Sequence, residues 1–114
     1  MQNTRMQRVA DQFQQEIAMI IQQELKDPTI GFVTIIRVEL SKDLSHGKVF
    51  FSCLGTPQEL AESLGGLNRS ARFIRQLLKK RFRLKVIPVL TFHYDESITG
   101  SLEMSKKLDE LKQQ

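Results

Sequence analysis

FVTIIRVEL runs from Phe32 to Leu40 and, after the polar stretch Ser41–Gly47, KVFFSCL runs from Lys48 to Leu54. Both segments are rich in β-branched and aromatic residues, the composition of strands. At a period of two, Phe32, Thr34, Ile36, Val38 and Leu40 share one face of the first, and Val49, Phe51 and Cys53 share one face of the second. So short a connection predicts an antiparallel hairpin. The flanking segments read as helices, so this hairpin sets the fold class.

Upstream, Met6, Val9, Ala10, Phe13, Ile17, Ile20, Ile21 and Leu25 recur at three-and-four spacing, predicting an amphipathic helix over 4–26. Asn3 or Thr4 suits its N-cap, and Asp27-Pro28 stops it, because the residue before proline is pushed out of helical geometry. Downstream, Pro57 suits the first turn of a helix whose stripe is Leu60, Leu64, Leu67, Ala71, Ile74, Leu78 and Phe82. Gly65-Gly66 interrupts it, each glycine weakening a helix interior by roughly 1 kcal/mol relative to alanine, so a bend or two helices is expected. VLTFHY, 89–94, is a last strand with Pro88 restricted to its start or to an edge, and it runs parallel to the strand before it because a helical crossover separates them. The order is αββααβ, an α+β fold with a three-stranded mixed sheet packed against helices. Ile98, Leu102, Leu108 and Leu111 predict a charged C-terminal helix or tail over 98–114, leaving 1–97 as the single domain.

With 114 residues and 40% apolar content the chain suits one domain with its own core. Cys53 is the only cysteine, so no internal disulfide forms and the reducing cytoplasm is the expected compartment. No apolar run reaches the roughly 18 residues of a membrane span, and no signal peptide is legible. The net charge is +4, distributed unevenly. Residues 63–94 hold eight basic side chains and no acidic one, whereas the remaining 82 residues carry nine basic and thirteen acidic. Such a segment is expected to face a polyanion.

Set on a helical wheel, Arg72, Arg75, Lys79 and Arg83 cluster beside the apolar stripe, and Arg69 and Lys80 broaden the band. Guanidinium forks match phosphate oxygens, and each neutralised phosphate releases counterions, so the band suits nucleic acid. No catalytic constellation accompanies it. His46 and His93 lack partners at ligand spacing and read as turn and strand surface, and Cys53 reads as a small buried residue. Asp95-Glu96 and Asp109-Glu110 are adjacent rather than opposed acids. Phe50, Phe51, Phe92 and Tyr94 offer stacking platforms, though their place in strands is better explained by core packing on at least one face. No cofactor or metal is implied. A module docking an acidic protein partner is the alternative use of the band.

The segments TRMQRVADQFQQEIAMIIQQELKDPTIGFVTIIRVELSKDL (4–44), KVFFSCLG (48–55) and LNRSARFIRQLLKKRFRLKVIPVLTFHYDES (67–97) resemble bacterial ribosome-binding factor A. ELKDP followed by GFVTI, and LNR…FIR with IPVLTFHYD, are the most specific matches. The resemblance implies a type II KH-like fold lacking the GxxG loop, and this chain has no G-x-x-G. It implies a non-enzymatic, monomeric factor that binds the immature or free small (30S) ribosomal subunit and its 16S rRNA. Such a factor assists 5′-end maturation, above all at low temperature, with assembly GTPases as cooperating partners. The phosphate contacts expected are Arg69, Arg72, Arg75, Lys79, Lys80, Arg81, Arg83 and Lys85, joined by Arg5 and Arg8. The family commonly carries an Ala-x-Gly kink between the central helices. Aligned on FIR, that position is Ser70-Ala71-Arg72, with arginine in place of glycine. The glycine pair is the site local propensity favours for the break, and Ser70, acting as a cap, is the site the resemblance favours. The break is expected at Ser70.

Overall fold

The computed structural model describes residues 4–96. The C-terminal helix expected over 98–114, and the cap assigned to Asn3, lie outside them.

Helix α1, Thr4–Gln23, ends three residues before its expected limit. Strand β1 is Phe32–Leu40, β2 is His46–Leu54, helix α2 is Pro57–Arg81 and β3 is Val89–Tyr94. The sheet order is β1-β2-β3, with β1 antiparallel and β3 parallel to β2. α1 lies against β1 and α2 against β3. Between helices and sheet, Phe13, Ile17, Ile20, Val49, Phe51, Leu67, Ile74, Leu78 and Phe92 are buried together. Phe82, just past α2, closes one end by meeting Phe13 edge-on at 4.7 Å between ring centroids. This is the α+β class with the mixed sheet expected from the sequence.

Two expectations are corrected. The inward face of β1 is not one alternating set, because the register slips between Ile35 and Arg37. Ile36 is the extra residue of a bulge, so Ile35 points inward before it and Val38 after it, both buried. The Gln14 amide donates to the Ile35 carbonyl at 3.3 Å, beside this irregularity.

The second correction concerns α2, which is one helix rather than two, giving the order αββαβ. It opens on a capping box in which Thr56 accepts from the Glu59 N–H at 3.1 Å and the Glu59 carboxylate accepts from the Thr56 N–H at 3.0 Å. From there it runs through both Gly65-Gly66 and Ser70-Ala71-Arg72. At Ser70 the buried Leu67, Ile74 and Leu78 continue one stripe, and Arg72 is a good helix former where glycine was expected. At Gly66 close approach accounts for the glycine. The 27–31 loop packs on Gly66, where an added Cβ would stand 2.7 Å from both Ile30 Cγ1 and Thr29 Oγ1. Ser63, one helical turn earlier, accepts from the Gly31 N–H at 2.9 Å and fastens the same loop.

Candidate nucleic-acid interface

α2 buries its apolar stripe and leaves its basic residues outward, but they do not all remain available. Arg81 reaches Glu16 at 2.7 Å and Glu24 at 3.9 Å on α1, fastening the two helices together. Arg69 donates to Thr29 Oγ1 at 3.0 Å and stands 3.5 Å from the Asp27 carboxylate. Asp27 is held below the ordinary aspartate pKa chiefly by the Thr29 hydroxyl, then by the Thr29 N–H, with Arg69 adding to them. Arg75 is half-buried, and its Nε donates to the Ile87 carbonyl at 3.0 Å. Three of the eight expected phosphate contacts are therefore already engaged in holding the fold.

Arg72, Lys79, Lys80, Arg83 and Lys85 are exposed, with no acidic partner among the described residues. Arg83 and Lys85 lie beyond the end of α2, in the link to β3, so the expected helical band continues into a loop. Arg5 and Arg8 are exposed on the first turns of α1, a separate element from this ridge.

Beside the ridge, a groove of about 320 Å³ is lined by Asn68, Ala71, Arg72, Arg75, Val89 and Leu90. β3 is an edge strand, and two side chains of α2 bind backbone groups in it and just before it. Asn68 accepts from the Phe92 N–H at 3.0 Å and donates to its carbonyl at 3.5 Å, while Arg75 takes the carbonyl of Ile87. At Phe92 the edge is thereby closed to strand addition. Asn68 was not legible as a site residue. Its one signal is a polar amide next to the apolar stripe, which points to a backbone partner without saying which. Among the described residues no group of three or more His, Cys, Asp or Glu is placed to hold a metal, and no helix is long and apolar enough to cross a membrane.

The profile of the ribosome-binding factor A family matches residues 5–108. The chain belongs to that family. It is 44% identical over 106 residues to the ribosome-binding factor A of Thioalkalivibrio sulfidiphilus, covering 93% of this chain and 82% of that one. Its fold is similar to the crystal structure of ribosome-binding factor A from Thermus thermophilus, with a TM-score of 0.71 and 28% identity over 79% of this chain and 94% of that one. It is also similar, at a TM-score of 0.63 and 28% identity, to the Thermus thermophilus homology model fitted into a cryo-EM map of a 30S complex of that factor, over 77% of this chain and 92% of that one.

Proposed function

We propose that this chain binds the free or immature small ribosomal subunit by its 16S rRNA and assists maturation of the 5′ end, most importantly in the cold. The observation that carries the reading is the ridge of Arg72, Lys79, Lys80, Arg83 and Lys85, cations left without acids along one helix and its exit, beside a groove that Arg72 and Arg75 line. Five cations so placed match a run of phosphates rather than one anion. Family membership, together with the 30S complex of the Thermus thermophilus relative, supports the small subunit as the source of those phosphates.

The action is non-catalytic. A protein that binds one RNA conformation tenfold more tightly than another favours it by about 1.4 kcal/mol, with no bond made and no nucleotide consumed. RNA secondary structure is overly stable in the cold, so such a bias matters more there. The factor acts as a cytoplasmic monomer, with residues 1–97 as the binding domain and assembly GTPases as cooperating partners.

The test is co-sedimentation of the full chain with purified small subunits on sucrose gradients. The wild type is expected in the subunit fractions at low salt and at the top of the gradient at high salt. Arg72→Glu with Lys79→Glu is expected at the top at both. Co-sedimentation of this variant equal to that of the wild type would overturn the reading.

A further inference from the structure

The face of the sheet turned away from the helices carries a second constructed surface. Arg37 on β1 is level with Phe50 on β2, which is level with His93 on β3, so the three form one row across the sheet. Arg37 Cζ stands 3.9 Å from the centroid of the Phe50 ring. The His93 ring lies 5.5 Å from Phe50 with its plane tilted by 33°. The guanidinium thus already covers one face of the Phe50 ring, which backs it.

Each outer member is held from the side. Arg37 donates to Glu39 through Nε at 3.0 Å and pairs with the buried Asp95 through Nη1. His93 Nε2 is hydrogen-bonded to Thr91 Oγ1 at 2.9 Å. The planar groups are therefore ordered before anything arrives, which lowers the entropy lost on binding.

We propose that this row is a second RNA contact of the same protein, a platform on which an unpaired base of a single-stranded segment stacks; the proposal rests on the RNA-binding reading given above. The charge balance identifies the part of RNA it takes. Glu39 and Asp95 offset Arg37, so the row is poorly suited to phosphate and well suited to the flat face of a base, for which aromatic rings and guanidinium planes are the usual partners. Position supplies the connection. Val89, which lines the groove beside Arg72 and Arg75, belongs to the same alternating set as Thr91 and His93. His93 lies about 13 Å further along the strand. A strand whose phosphates follow the ridge passes over the edge of β3 and onto the platform.

The two contacts differ in their response to salt. Phosphate contacts release counterions, whereas stacking does not, so removing a stack lowers affinity equally at every salt concentration. Binding of a fluorescein-labelled ten-nucleotide oligoadenylate to the full chain would be followed by anisotropy between about 50 and 200 mM salt. Phe50→Leu and His93→Ala are each expected to weaken binding about fivefold or more with the salt slope unchanged, and His93→Phe to restore it. Arg72→Glu with Lys79→Glu is expected to flatten the slope instead.

If the Phe50 and His93 variants bind as the wild type does while the Arg72/Lys79 variant weakens, the platform is overturned and the ridge stands. If the wild type does not bind the oligonucleotide although it co-sediments with small subunits, the platform is overturned and the ridge stands; if it does neither, both fall. Loss of small-subunit binding by His93→Ala with oligoadenylate affinity intact would mean that the face meets a protein, and would also overturn the proposal. Should Phe50→Leu fail to fold, the His93→Ala and His93→Phe pair decides the matter alone.

Discussion

Gly65 and Gly66 are neighbours in one helix, yet replacing each by alanine is expected to move stability in opposite directions. Alanine is favoured over glycine in a helix interior by about 0.8–1.0 kcal/mol, and both positions gain this. At Gly65 the nearest atom to an added Cβ is Arg69 Nη1 at 3.3 Å, the far end of a flexible side chain that needs to yield by only a few tenths of an ångström. At Gly66 the Cβ would meet Ile30 Cγ1 and Thr29 Oγ1 at 2.7 Å and Asp27 Oδ2 at 3.1 Å. Ordinary carbon contacts lie at about 3.5–4.0 Å, so the loop must retreat by nearly 1 Å. It resists, because Thr29 is bonded to Asp27 through both its N–H (2.9 Å) and its hydroxyl (2.6 Å), and Gly31 to Ser63. Overpacking of this kind costs about 1–3 kcal/mol. Gly65→Ala is therefore expected to stabilise by roughly 0.5–1 kcal/mol and Gly66→Ala to destabilise by about 1 kcal/mol, a separation of about 2 kcal/mol. At about 4 °C per kcal/mol for a domain of this size, the two Tm values should lie about 8 °C apart. Circular dichroism melts at 222 nm, with urea midpoints as a check, measure it. A Gly66→Ala protein as stable as Gly65→Ala would refute close packing of the loop as the reason for glycine there.

Ile74→Ala, which empties a fully buried position on α2, is expected to lose about 2–5 kcal/mol in urea denaturation, whereas Arg72→Glu should change stability by less than about 1 kcal/mol. With five phosphates neutralised by the ridge, a log–log plot of subunit affinity against salt should have a slope near −4, about two orders of magnitude between roughly 50 and 200 mM, and a flat profile would refute the electrostatic reading. In the hairpin turn, the Asp43 carboxylate accepts from the Ser45 hydroxyl at 2.7 Å, the Ser45 N–H at 3.0 Å and the Ser41 hydroxyl at 2.9 Å, which lowers its pKa from 3.8 to about 2. Its stabilisation of the turn is therefore complete above the unfolded value near 3.8 and lost as pH falls through about 2, a window that carboxylate NMR titration should show and Asp43→Ala should abolish.

The sequence by itself determined which segments become helix and strand, because periodicity and composition are local, although it divided α2 in two. β1 and β3 begin and end where the reading placed them, and the hairpin and the parallel return followed from connection length alone. It also determined that the basic residues fall on one stretch, since charge needs no coordinates to be counted. What only the tertiary structure decided are relations between distant segments. Gly65-Gly66 looks like a flaw until the 27–31 loop is seen against Gly66, and a helix propensity holds no information about a loop more than thirty residues away. The face of β1 depended on a bulge at Ile36, where one extra residue turns every later side chain over. By residue type and charge alone, Arg69, Arg75 and Arg81 cannot be told from Arg72. They differ because Asp27, Ile87 and Glu16 come to three of them and leave the fourth, and an ion pair or hydrogen bond across the fold forms only once packing has fixed both of its ends.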